Sequence, residues 1–424
     1  MRSEFDVIIV GAGPAGSAAA ILLAQAGWSV ALIEKQDFPR RKVCGECIAA
    51  SNLPLLDALG IGPAFALAAG PELRKIAFMQ GEQQVVAELP AATHQQYLWG
   101  RALGRETLDT LLLEQARCVG AQVLQPWSMQ AIKGRPGHWH CQVRAVATEA
   151  SLSLRTALII DAHGSWQALP SAAPIRHRRH RGSDLLAFKA NFGDAALEEG
   201  LLPVLSFDGG YGGMVLADGG LTTVACCIRR DQLEICRRAS PGLNAGEVVE
   251  AMLKRQCAGV RMALQGADRV GPWLATGPLD PGIRLRADDD LLRIGNAAGE
   301  AHPIIGEGMS MALQSAWLLC AHLLAGERAG KSCDEAWQGV VGRRYALEWR
   351  RQFAPRLRLA AAFAHLAMRP RSTALVLALA RTWPGLLTLG ANWCGKARCA
   401  VAPTTITMLT TPAGVMSAGK PSVS

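Results

Sequence analysis

The chain has 424 residues, 50% of them hydrophobic, and a formal net charge of +9. That length and composition suit a large packed core and exclude collagen-like, low-complexity and repeat architectures. Residues 326–400 hold 13 Lys or Arg against 4 Asp or Glu, so one C-terminal segment supplies the whole basic excess. No nucleic-acid recognition motif accompanies that charge, so no nucleic-acid partner is expected.

In chain order, residues 5–10 are a short, apolar, β-branched run that reads as a buried strand. Gly11 to Gly16 predict a turn, and Pro14 to Ala26 an Ala/Leu-rich helix stopped by Gly27. Residues 28–33 predict a second strand ending at Glu34. Gly and Pro interrupt this apolar start, so it reads as fold rather than as a secretory leader. With no leader expected, the 12 cysteines are expected reduced, in the cytoplasm. Cys44 and Cys47 form a CxxC without a second pair, so no metal site is expected.

A helix is expected at 105–120, then a strand, then antiparallel strands over 139–160 ending before Asp161. Further strands with Gly-rich turns fill 184–230. Residues 291–295 predict a strand, followed by a Gly-rich loop and a helix over 308–325. Beyond that the chain reads as helical, basic and apolar. The stretch 372–392 is interrupted by Arg381 and Pro384, so two short helices or an interfacial helix fit it better than a membrane span. From Pro403 the Thr/Ser/Pro-rich composition predicts a disordered tail.

The motif with the firmest mechanism is Gly11-Ala12-Gly13-Pro14-Ala15-Gly16, a GxGxxG between a strand and a helix. Gly11 permits the tight turn, Gly13 lets the backbone approach a pyrophosphate, and Gly16 allows close helix–strand packing. The helix start, with Pro14 and Ala15, offers free N–H groups and a positive dipole end to the diphosphate. Glu34, with Lys35 after it, closes the second strand where a carboxylate accepts hydrogen bonds from a ribose diol.

Residues 291–316, LLRIGNAAGEAHPIIGEGMSMALQSA, resemble the second FAD fingerprint of a large flavoprotein superfamily. That superfamily includes the aromatic hydroxylases (group A monooxygenases), flavin-dependent halogenases and geranylgeranyl reductases. The match runs through Gly295, Ala297, Ala298, Pro303, Gly306, Gly308, Met309 and Ala312, with Asn296 where the family has Asp. The resemblance implies that the Gly306, Glu307, Gly308 and Met309 backbone faces the flavin O2. Residues 38–46, FPRRKVCGE, resemble the segment after the acidic residue in reductases and halogenases and bring in Arg41. Arg105 matches an Arg that opens a helix and approaches the flavin. Asp161 matches the Asp of an Asp-Gly motif, here with Ala-His inserted before Gly164.

The resemblance implies a Rossmann-like FAD-binding unit from 1–170 and 270–330, with an inserted β-sheet substrate domain at 171–269. A helical region, 331–402, and the tail, 403–424, follow. It also implies FAD as resident cofactor and NAD(P)H as transient reductant. Hydroxylation of a hydrophobic phenolic or polyketide-like substrate is the first expectation. Saturation of an isoprenoid or other alkene is the second, since Cys44-Gly45 is common among the reductases. A halogenase ranks below both, for want of a Trp-x-Trp-x-Ile-Pro segment, as does a non-catalytic FAD-binding protein. Candidate catalytic residues are Cys44 (with Cys47 as redox partner if that segment is helical), Glu46, Tyr211 and His302. The basic apolar C-terminal helices suggest peripheral contact with the inner face of a membrane.

Overall fold

In the computed structural model, residues 2–92, 96–165, 169–170, 180–286, 290–327, 333–393 and 399–410 are described. The run FDVIIV forms the strand Glu4–Val10, whose Val7, Ile8 and Ile9 are fully buried. A strand covered on both faces favours parallel partners. It pairs in parallel with Val30–Ile33 on one side and Ser151–Asp161 on the other. Gln122–Leu124 extends the sheet in parallel beyond Val30–Ile33. Leu292–Arg293 joins in parallel at the end of Ser151–Asp161. His138–Ala145 and Trp127–Arg135 add an antiparallel meander. The helices Pro14–Gln25, Arg105–Cys118 and Gly308–Glu327 bury their apolar residues in one core with this sheet. Gly308–Glu327 is apolar enough to cross a membrane, but most of it is buried here against Pro14–Gln25. That burial explains an apolar surface all round.

A second sheet of seven strands runs Asp268–Thr276, Leu185–Gly193, Thr222–Arg229, Gly210–Leu216, Leu201–Phe207, Lys75–Gln80, Gln83–Glu88. Its side chains alternate between faces. Phe188, Ala190 and Phe192 pack under the helix Ala245–Gln256, through Val248, Val249 and Met252. The opposite face carries Ala187, Lys189, Asn191, Tyr211, Thr223 and Cys227, aligned by the ladder register.

The architecture is the expected α/β unit with an antiparallel substrate sheet and a helical C-terminal region. Three boundaries differ from expectation. The hairpin 75–88 lies inside the segment expected to bind FAD, yet pairs into the second sheet through parallel contact with Leu201–Phe207. The substrate domain expected to end at 269 continues through the strand Asp268–Thr276, so 270–276 also belongs to that sheet. Residues 403–410, expected as disordered tail, form the helix Pro403–Thr410, because Leu409 and neighbouring Val401 have room in the first core. Residues 411–424 and 171–179 lie outside the described residues.

The helix Glu335–Ala367 buries Tyr345, Trp349 and Phe353 against Gly308–Glu327 and reaches the turn Pro303–Ile305. After it come Pro370–Thr382 and Gly385–Trp393, two short helices bent by 115°. They pack on the hairpin edge of the second sheet.

Candidate active site

Between the two sheets lies a cavity of about 1020 Å³. One end is walled by both Gly-rich loops, the other by the second sheet and the C-terminal helices.

At the first end, Gly11 has φ +103°, and a Cβ there would stand 2.5 Å from the Ala162 carbonyl oxygen. A Cβ on Gly16 would fall 1.8 Å from the Gly11 carbonyl oxygen, so the helix packs on the turn only as glycine. Gly13 differs. Its Cβ would meet only the guanidinium tips of Arg105 at 3.7 Å and Arg40 at 4.0 Å, at the edge of the open cavity. The helix that starts at Pro14 has no side-chain cap and no acidic residue in its first turn. Its positive end is left to an anion.

Glu34 is buried and accepts from the Ala12 N–H at 2.9 Å, the Gln36 N–H at 3.0 Å and Arg40 Nη1 at 2.9 Å. The carboxylate is thus fixed beneath the Gly-rich loop. Lys35 also lines the cavity. Arg105 grips Asp109 with two hydrogen bonds of 2.7 Å while facing Gly13. Arg41, expected at the flavin, lines the cavity but is tied to the Val270 carbonyl at 2.9 Å and to Glu106. Its neighbour Arg40 is the residue beside the loop. Both arginines of this adjacent pair line the cavity, and Arg40 is the one that reaches Glu34.

Lys42 was missed entirely. Burial first, then the charges of Arg105 and Arg40, push its ammonium down to about 8. An anion bound beside these three cations raises it again. Cofactor affinity is therefore full below about pH 8 and falls as pH rises through that value. Titrating apoprotein with cofactor across this range is expected to show the decline, and Lys42→Met to flatten it.

The second fingerprint closes the same end. Gly295 takes φ +60° against Ala15, and its N–H donates to Ser315 Oγ at 2.8 Å. Asn296 lines the cavity and donates to Ser165 Oγ at 2.8 Å, tying the second fingerprint to the segment that follows Asp161. Pro303, Gly306, Gly308 and Met309 line the cavity as expected. Gly306 is left-handed, and a Cβ on Gly308 would meet nothing within 4 Å. The Glu307 side chain turns away, fully buried with Arg356 at 3.8 Å. Asp161 sits behind the wall, holding His163 and Arg293, rather than in it. Trp166 of the same motif lies outside the described residues.

Cys44 lines the cavity near Arg105. The helical turn that would pair it with Cys47 is absent. The segment is extended, Glu46 takes φ +58°, and Cys47 enters the strand Cys47–Ile48. Glu46 is 2% exposed. It accepts from the Arg105 N–H at 3.0 Å, and pairs with Lys189 and Thr223 Oγ1 of the second sheet. It is a strut between the two sheets, which explains its strained backbone better than a role on substrate. Lys189→Met leaves this carboxylate buried without its cation, and unfolding in urea is expected to show a loss of about 3–5 kcal/mol. Lys189 was legible as a lone charge in the apolar run LLAFKANF, but only the ladder register shows what it faces.

Tyr211 is 1% exposed on the cavity face of the second sheet. Its hydroxyl lies 3.2 Å from His302 Nδ1. The His302 ring is 5.8 Å, centroid to centroid, from that of His365, which is exposed on the long helix. Burial pushes the Tyr211 phenol well above its ordinary range. Burial, with His365 second, lowers His302 to about 4. At neutral pH this is a phenol backed by an uncharged imidazole, leading from the cavity toward solvent. Tyr211 and His302 were candidates from sequence; His365 was not.

Residues 4–259 match the family model described as FAD binding domain. The chain belongs to this FAD-binding family. Among curated relatives, this flavoprotein is 36% identical over 119 residues to menaquinone reductase of Mycobacterium tuberculosis, a match spanning 28% of each chain. It is 27% identical over 366 residues to digeranylgeranylglycerophospholipid reductase 1 of Methanopyrus kandleri, covering 82% of this chain and 87% of that one. The myxobacterial halogenase CndH has the same fold (TM-score 0.73, 20% identity, 96% of both chains). So does a geranylgeranyl bacteriochlorophyll reductase-like protein of Thermoplasma acidophilum (0.67, 16%, 98% of both). PqsL of Pseudomonas aeruginosa, a probable FAD-dependent monooxygenase, also shares it (0.65, 17%, 88% of this chain and 99% of that one). Three chemistries on one fold leave the reaction to the site itself.

The site of this flavoprotein fits FAD on its own geometry. An uncapped helix start meets three cations, a fixed carboxylate stands under the Gly-rich loop, and a second Gly-rich turn opens onto the same space.

Proposed function

We propose that the protein is an FAD-dependent reductase that saturates a double bond in a long apolar chain, an isoprenoid above all. NAD(P)H is proposed as the source of reducing equivalents. Of the readings left open by the sequence, this second expectation is the one the cavity favours. The observation that carries it is the buried Tyr211 hydroxyl, 3.2 Å from His302 Nδ1, at the wall of a cavity that is otherwise apolar toward the C-terminal helices. A phenol hydroxylase gains from a base that takes a proton from its substrate. A saturase needs an acid for the carbon that receives no hydride.

When bound, FAD would supply the hydride. Arg40, Lys42 and Arg105 would hold its anionic part, and the N–H groups of the Gly306–Met309 backbone would offer donors where negative charge collects. Ile76, Phe78, Leu202 and Val204 give the space beyond an apolar wall. Tyr211 gives its proton to the alkene carbon and takes one from His302 Nδ1. Neutral His302 is refilled at its other nitrogen from the side of His365, by one water or a ring rotation. The likeness to an isoprenoid-lipid reductase over most of both chains supports this reading.

The test is product analysis. Reduced holoprotein mixed with a polyprenyl lipid in the absence of oxygen is expected to yield a product heavier by two hydrogens. A product that instead gains one oxygen atom, formed only in air, restores the hydroxylase reading.

A further inference from the structure

From Trp349 to Ser424 the sequence contains no Asp or Glu and ten Lys or Arg. Within this stretch, the helices Pro370–Thr382 and Gly385–Trp393 turn two faces in different directions. Leu377 and Ala380 are buried against Phe78 and Val85 of the sheet. On the outer side, Leu375 is 63% exposed, Trp383 69% and Trp393 62%, beside Leu379, Leu386 and Leu389. Arg369, Arg371 and Arg381 are exposed along the same pair. Leu379, Leu386, Leu389 and Trp393 also line the cavity, so its mouth opens on the apolar face itself.

Neither helix can cross a bilayer. At 1.5 Å per residue, even the 13-residue Pro370–Thr382 is only about 20 Å long against a hydrocarbon core of about 30 Å. The 115° bend rules out one continuous span. Tryptophan and leucine on one side with arginine and no acid in either helix is the surface of a helix lying in the headgroup region of an anionic membrane, and the exposed Glu88 and Asp208 of the adjoining sheet flank it.

We infer that this helix pair docks the protein on an anionic phospholipid bilayer, with the cavity mouth against the lipid, so that a chain-bearing substrate enters without crossing water. The inference deepens the reductase reading by naming where its substrate resides. The binding face stands on exposure and charge alone. The apolar side chains enter the acyl boundary, the arginines meet lipid phosphates, and the end of the cavity walled by the Gly-rich loops stays on the aqueous side.

The experiment is flotation of the full-length holoprotein with vesicles, with no turnover involved, so its failure and that of the proposed reaction are separable. Binding is expected to vesicles of phosphatidylcholine with phosphatidylglycerol, to be weak on phosphatidylcholine alone, and to decline with added salt. Replacing Arg369, Arg371 and Arg381 with Gln is expected to lower partitioning about a hundredfold. Trp383→Ser with Trp393→Ser should abolish it. All five positions are exposed, and unchanged flavin content shows that the variants fold. Failure to float with anionic vesicles overturns the inference. Equal binding by the arginine variant, or a detergent-resistant dimer that loses its contact when both tryptophans are replaced, does the same.

Discussion

Gly13→Val is expected to give a folded protein that purifies colourless. The three glycines of the motif carry different burdens. A side chain at Gly16 collides with the Gly11 backbone, and one at Gly11 with Ala162, so those substitutions damage the fold before they damage the site. At Gly13 a Cβ touches only two arginine tips that can move. The added isopropyl group then projects into the space in front of Arg40 and Arg105, where the diphosphate must sit. The flavin-to-protein ratio should fall below about a tenth of wild type, which a loss of about 1.4 kcal/mol per factor of ten reaches easily. Far-ultraviolet circular dichroism should stay unchanged, while Gly16→Val should lose soluble protein altogether. A Gly13→Val protein with full flavin would show that the pyrophosphate does not approach this backbone.

Tyr211→Phe is the second large effect. It removes one oxygen from a side chain already 1% exposed, with no change in packing volume. If the phenol is the proton donor to the alkene, kcat for saturation falls by about 10²–10⁴, the usual contribution of a positioned acid. Flavin content and the rate of flavin reduction by NAD(P)H should not change, since the Tyr211 hydroxyl meets the second Gly-rich loop at the His302 side chain rather than at its backbone. A merely structural tyrosine would lower stability and leave the ratio of the two rates intact. His302, lowered to about 4, stays neutral across the working range. The pH profile of saturation should therefore show no step from it between about pH 5 and 8.

Those parts of the site that rest on backbone were legible in the sequence. A glycine forced by a positive φ or a close approach leaves a mark at a fixed spacing, so Gly11, Gly16, Gly295 and Gly306 were readable one by one. Glu34 was legible because it closes a strand at a set distance. What was not legible depends on which side chains meet across the two sheets. Arg40 and Arg41 are neighbours in an irregular segment, and only the turn decides which one reaches Glu34. Lys42 gains its character from burial first, then from two cations that the fold brings beside it. Glu46 was picked as catalytic for its place in a motif, yet its carboxylate is consumed by Lys189 and Thr223, far away in sequence. The hairpin 75–88 was assigned with its sequence neighbours because nothing local announces a parallel partner at 201–207. Likewise the helix Pro403–Thr410 has a loop-like composition, and it folds because the core offers Leu409 a place.

The central claim is that reducing equivalents leave this protein by way of a carbon–carbon double bond. Its most direct test is to reduce the holoprotein anaerobically and then add a long-chain isoprenoid lipid, following flavin colour and product mass together. The account predicts that colour returns without oxygen, in step with a product that has gained two hydrogens, and that Tyr211→Phe slows this step alone. Flavin that stays bleached until air is admitted, with a product that has gained oxygen, would contradict it.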